Sequence, residues 1–231
     1  MKPIIIYSMG RSRSTATLHA AKRANRMNEP FEIYTLGRGE DITGESDIID
    51  IRYEMMTAPE WPNILTQLND SDTAVKFFGT SLNNFQYARD WFTQVQQNES
   101  HEIFILIRNP KDVIWSLLLA SRFGWNKTTE KEYKEVTFNE KDFVVPDLGI
   151  DQFLRFYPRY GKVVTFETLP EEFFDYSTVV VQSQDSQKTK MQYVTNPDFV
   201  EDKIHKILAF HKHEWYEKTG TDIFDTKWKI V

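Results

Sequence analysis

Two segments of the chain combine residue types suited to holding phosphate. Residues 10–17 read Gly-Arg-Ser-Arg-Ser-Thr-Ala-Thr. They lie between an apolar run, Ile4 to Tyr7, and a stretch in which Thr17, Ala20, Ala21, Ala24 and Met27 recur at helical spacing. A loop between a strand and a helix N-terminus aims free backbone N–H groups at one point, and the helix dipole adds positive potential there. Ser12, Ser14, Thr15 and Thr17 contribute hydroxyl donors, and Arg11 and Arg13 contribute full charge. In the second segment, the apolar strand predicted at Ile103–Ile107 delivers Arg108 at its carboxyl end, where α/β sheets bind ligands. Pro110 then opens a helix that runs to about Ser121 and places Ser116 two turns in. An arginine fork and a hydroxyl can bracket one phosphate.

The first loop departs from the nucleotide-kinase pattern G-x-x-x-x-G-K-[ST]. Gly10 and Thr17 fit its ends, but Thr15 stands for the second glycine and Ala16 for the lysine. The lysine that holds β- and γ-phosphates is missing, which argues against ATP or GTP hydrolysis by that route.

Both segments resemble those of sulfotransferases that use 3′-phosphoadenosine 5′-phosphosulfate. The family's loop is commonly P-[KR]-S-G-T-T or P-R-S-G-[ST]-T; Arg13, Ser14 and Thr17 match it, while Ser12, Thr15 and Ala16 depart from it. The family's R-N-P-K-D-x-x-x-S motif is present at every defined position, as Arg108, Asn109, Pro110, Lys111, Asp112 and Ser116. Val163 to Leu169 is similar to the family's late strand ending in Y-E-D-L, with Phe166 for Tyr and Thr168 for Asp.

The resemblance implies a P-loop NTPase-like three-layer sandwich. It implies that residues 11–17 hold the donor's 5′ end and that Arg108 and Ser116 hold its 3′-phosphate. Arg13 would take the bridging and 5′-phosphate oxygens, and no metal is required. The family's glycine-rich C-terminal nucleotide loop is not evident; residues 183–195, with Lys188 and Lys190, stand in its place.

A base must take the acceptor's proton. Many members carry histidine in K-T-H-L-P, but here the region reads Val75-Lys76-Phe77-Phe78-Gly79-Thr80. Other members use a glutamate in an E-P-x-E pattern after the first helix, and Glu29-Pro30-Phe31-Glu32 fits that pattern. Glu32 is the candidate base, with Glu29 second. The five histidines, His19, His101, His205, His211 and His213, are expected to be structural or solvated.

The elements that must position these groups follow from periodicity. Strands are predicted at Ile4–Tyr7, Phe31–Leu36, Ala74–Phe78, Ile103–Ile107 and Lys162–Phe166. Phe85, Ala88, Phe92 and Val95 give a helix, and a last helix is predicted from an Asn196 cap and Pro197 to Gly220. The alternation predicts one α/β domain over residues 1–231, with a central parallel sheet of about five strands flanked by helices. Residues 122–147 are expected to form an insertion or lid. Phe77, Phe78, Trp115, Phe123 and Trp125 are candidates for the wall of an acceptor pocket.

Composition sets outer limits. The chain has 231 residues, of which 40% are hydrophobic and 27% charged, enough for a core. The net charge of −6 argues against nucleic acid as the partner. Charge is nonetheless segregated: Lys2, Arg11, Arg13, Lys22, Arg23 and Arg26 precede Glu29, the first acidic residue. A local anion site in an acidic protein accounts for that. There are no cysteines, so thiolate metal sites and cysteine nucleophiles are excluded. No signal h-region or membrane span is predicted, and a cytoplasmic location is expected.

The acceptor class is a small molecule, a sugar or a lipid, through a hydroxyl or amine. Two alternatives stand beside the transfer reading. One is a nucleotide kinase-like phosphotransferase. The other is a non-catalytic nucleotide-binding protein on the same fold.

Overall fold

A computed structural model describes residues 2–9, 29–33, 49–51, 65–66, 68–69, 73–84, 86–123, 133–165 and 190–224. The chain begins with β1 (Ile4–Ser8), β2 (Glu29–Ile33), β3 (Ile49–Ile51) and β4 (Thr73–Phe78). Helices α1 (Gly79–Asn84) and α2 (Gln86–Asn98) lead to β5 (Glu102–Ile107), and α3 (Pro110–Phe123) follows. A 3-10 turn (Glu140–Phe143) runs into α4 (Val144–Arg155), then come β6 (Lys162–Thr165) and the long α5 (Pro197–Thr219).

The six strands form one sheet in the order β3-β2-β4-β1-β5-β6, and every pairing is parallel. The sequence predicts about five strands. The additional one is β3, a three-residue edge strand around Asp50, too short to show a period. The second strand begins at Glu29 rather than Phe31 and ends at Ile33, so Glu29-Pro30-Phe31-Glu32 lies inside it. Pro30 is compatible with its place near the start of the strand.

Parallel strands carry apolar residues on both faces because both faces are covered. Alternation divides them. Ile5, Tyr7, Met9, Val75, Phe77, Ile103, Ile105 and Ile107 join the main core. That core is completed by Trp91 and Phe92 of α2, Val113 and Trp115 of α3, Phe153 of α4 and Trp215 of α5. Phe77 stacks on Trp91 at 5.1 Å and on Phe92 at 6.1 Å between ring centroids. Ile4, Ile6, Ser8, Lys76, Leu106 and Arg108 are equally buried but lie outside that core. They belong to the second face.

Helix α4 overlaps the insertion expected at residues 122–147, and the sequence predicts no helix there. Pro146 is its third residue, inside the first turn, where the missing N–H costs nothing. The helix is pinned to the sheet from two sides. The Tyr7 hydroxyl donates to the Phe153 carbonyl at 2.8 Å. Gly79 lies so close to the Gln152 backbone that a Cβ there would collide with the Gln152 carbonyl.

The described part of the expected lid, residues 133–147, is knitted into the body. Val136 and Val194 form a parallel bridge. The Phe138 N–H donates to the Asn196 side chain at 3.1 Å, and that side chain donates back to the Phe138 carbonyl at 2.8 Å. Asn196 therefore makes no side-chain cap to α5, contrary to the sequence expectation; its amide is spent on Phe138. Pro197 does start the helix, and Gly220, at φ 70°, ends it in the left-handed region.

Candidate functional site

The sheet has a switch point at its centre. From β1 the chain moves to β2, on the β4 side; from β5 it moves to β6, on the other side. Connections that leave in opposite directions open a crevice at the carboxyl ends of neighbouring strands. Ser8 is in register with Leu106, so the ends of β1 and β5 are level. Arg108 stands two residues beyond Leu106, at that crevice.

Arg108 is buried, with 7% of its surface exposed. Local chemistry fixes the turn that follows. The Lys111 N–H donates to the Asn109 side chain at 3.0 Å, and the Val113 N–H donates to the Asn109 carbonyl at 3.1 Å. Asn109 thus caps α3, and Pro110 occupies the first helical position. Asp112 lies in the first turn, where a carboxylate complements the dipole. Ser116 follows, 9% exposed. Arginine and serine are both held on rigid elements, at the strand end and on the helix it launches.

Lys111 is committed elsewhere. Its ammonium pairs with Glu201 of α5 at 2.7 Å, and the other Glu201 oxygen accepts from the Trp115 indole at 2.9 Å. Glu201 joins α3 to α5 and keeps the Arg108–Ser116 turn against the body. Sequence reasoning missed it: the pairing spans 86 residues from Trp115, and no local spacing announces it.

Two further polar groups share the second sheet face. Lys76 is 1% exposed, and its ammonium lies 5.2 Å from the Phe78 ring centroid. Its register partners are Ile6 on β1 and Glu32 on β2. The candidate base is therefore placed on the strand beside Lys76 and is also the register partner of Asp50 on β3. Ser8 is fully buried, and among the described residues its hydroxyl has no hydrogen-bond partner. Lys76, Ser8 and Arg108 ascend across β4, β1 and β5 toward the carboxyl edge. Loop residues Arg11, Ser12, Arg13, Ser14, Thr15, Ala16 and Thr17 lie outside the described residues, as do Phe166, Trp125 and Lys188.

Most of the aromatic candidates for an acceptor wall are core. Phe77, Trp115 and Phe123 belong to the main cluster, while Phe78 lies on the second face with Lys76. The histidines that are described are held structurally or solvated. His101 is buried; its Nε2 donates to the Leu68 carbonyl at 2.8 Å, and Ser100 lies 2.9 Å from Nδ1. Burial lowers its pKa, opposed by the Leu68 hydrogen bond and reinforced by Lys2. His211 is buried against Asp147 of α4 at 2.8 Å, and His213 is exposed. Burial raises the Tyr7 hydroxyl well above its usual pKa and that of Tyr157 to about 12, so neither ionises near neutrality.

Among the described residues, no three His, Asp or Glu side chains group as a metal site would require. None of the described helices is long and apolar enough to cross a membrane. In comparisons with family models, with curated proteins and with solved structures, the chain matches none.

Proposed function

We propose that this chain is a sulfotransferase that moves a sulfuryl group from 3′-phosphoadenosine 5′-phosphosulfate to a hydroxyl or amine of a small-molecule, sugar or lipid acceptor. The observation that carries the reading is the Arg108 to Ser116 segment. The full R-N-P-K-D-x-x-x-S motif starts at the carboxyl end of β5, beside β1, with the arginine buried at the crevice and the serine buried on the helix that follows. A phosphate held there by a guanidinium and a hydroxyl is the feature that separates this donor from ordinary adenine nucleotides.

The order of the elements supports a P-loop-like frame. All the described helices that join the main core cover one face of the sheet. Crossovers from β4 to β5 and from β5 to β6 move in one direction, and those from β1 to β2 and from β2 to β3 move in the other. A strand order that runs both ways from β1 is the order expected of a P-loop-like three-layer sandwich.

The reaction is an in-line displacement. The acceptor oxygen or nitrogen bonds to sulfur as the bond from sulfur to the 5′-phosphate oxygen breaks. The proton goes to Glu32, and the negative charge goes to the leaving 3′-phosphoadenosine 5′-phosphate. Arg13 neutralises that charge as it develops, and positioning with electrostatics does most of the work, as in phosphoryl transfer.

Titration calorimetry with 3′-phosphoadenosine 5′-phosphate, AMP and ATP tests the proposal. The 3′-phosphorylated nucleotide is expected to bind tightest. In Arg108→Ala its affinity is expected to fall about 10- to 100-fold, the loss for charge-assisted hydrogen bonds, while AMP changes little. Equal binding of all three nucleotides by the unaltered protein overturns the reading. Turnover that survives Glu32→Gln with donor binding intact moves the base elsewhere.

A further inference from the structure

Helix α5 carries an exposed stripe whose charges are ordered by sign. Lys203 and Lys206 stand seven and four residues before Phe210, and Glu214 and Glu217 stand four and seven residues after it. At 3.6 residues per turn, these offsets place all five side chains within about 40° of one line along the helix. Phe210 is 82% exposed, and Lys206, Glu214 and Glu217 are exposed with it. Helix α4, joined to α5 through Asp147 and His211, leaves Val144, Val145 and Leu148 exposed as well.

The helix does not need this order of signs for itself. A carboxylate near a helix C-terminus opposes the macrodipole, and Glu217 lies in the last turn. Within the chain, Lys206 pairs with Asp202 at 2.7 Å, Glu217 with His213 at 3.3 Å, and Lys203 with Glu140. Surface pairs of this kind contribute little and can be exchanged for others. None of them covers Phe210.

The signs reverse about Phe210, so the stripe is complementary to its own copy turned end for end. A two-fold axis at Phe210 sets Lys206 of each copy level with Glu214 of the other, and Lys203 level with Glu217. A parallel arrangement would set like charges together. A two-fold interface pairs each residue reciprocally in this way, and an apolar centre with charged flanks is the usual build of an interface.

We propose that α5 is the interface of a two-fold symmetric dimer of this chain. The helices run antiparallel, the Phe210 rings meet at the axis, and a Lys206–Glu214 pair lies on either side. The dimer is independent of the transfer reading, and neither stands or falls with the other.

Sedimentation velocity at micromolar concentrations tests it. The unaltered chain is expected at twice its mass of 27.3 kDa. Phe210→Ser is expected to weaken association about tenfold or more, as for loss of a central aromatic anchor. Lys206→Glu and Glu214→Lys should each weaken it, and the double variant should return it to within about threefold of the unaltered chain, because the pair is rebuilt across the axis. A second measurement leaves the charges alone. The chain has no cysteine, so Phe210→Cys places a single thiol at the axis, where mild oxidation should link the two copies. Tyr216→Cys, also exposed but about 120° away around the helix, should link far more slowly.

An unaltered chain that stays monomeric overturns the proposal, as does a dimer that Phe210→Ser leaves intact. A double reversal that associates no better than either single one removes the antiparallel pairing. Equal cross-linking of the two thiol variants removes the axis at Phe210.

Discussion

The two faces of the sheet are built from the same strands and yet do different work. One takes Tyr7, Val75, Phe77, Ile105 and Ile107 and buries them under α2, α3, α4 and α5. The other takes the residues between them, and there burial includes Lys76, Ser8 and Arg108. A shift of one residue along a strand exchanges an aromatic core group for a cation, because side chains alternate. Stability is concentrated on the first face. Buried charge, Lys76 and Arg108, is concentrated on the second.

The largest effect should come from the first face. Phe77→Ala removes a ring stacked on Trp91 and Phe92 and should cost about 3–5 kcal/mol by denaturant unfolding. Nucleotide preference should survive wherever the variant is still folded. Arg108→Ala should do the reverse, with the loss appearing in binding. A stability loss from Arg108→Ala as large as that from Phe77→Ala would break the division.

Gly79→Ala comes next. The added Cβ meets the Gln152 backbone rather than a flexible side chain end, so the expected cost is about 1–3 kcal/mol. An unchanged melting temperature would show that α4 yields at that point.

Ser8→Ala sharpens the comparison in the opposite sense. Removing a buried hydroxyl that makes no hydrogen bond among the described residues should raise stability, by up to about 1 kcal/mol. A loss of similar size would mean that the hydroxyl is paired after all.

The smallest effect is the pH dependence from His101. Its pKa in the folded state lies below the ordinary histidine value of 6.5, chiefly through burial. The unfolded chain therefore binds the proton more readily. Stability from this group is fully present above that value and is lost as pH falls from it toward the folded pKa. His101→Asn should flatten the stability profile in that window, and a profile that keeps its slope would assign the effect to another group.

Legibility in the sequence followed the range of the interactions. Local signals were clear: the apolar run of β5, Pro110 at the start of α3, and Gly220 at the end of α5 each act within a few residues. Contacts between distant parts were not. Asn196 reads as a cap from its neighbours, but its amide goes to Phe138, 58 residues away. Lys111 reads as part of a phosphate motif, but its ammonium goes to Glu201. Helix α4 was hidden because Pro146 and Gly149 interrupt its pattern, and its place depends on Gly79 and Tyr7 from other elements.

By itself the sequence determined the α/β class, most of the strands, and the residues of the Arg108–Ser116 segment, since propensity, periodicity and motif are properties of neighbours along the chain. Only the tertiary structure decided that β1 lies between β4 and β5, that Glu32 is in register with Lys76, and that Lys190 is buried with its ammonium near the Tyr133 ring. Strand order and burial arise when segments far apart compete for the same apolar surface, and that competition leaves no local mark on the residues that take part in it.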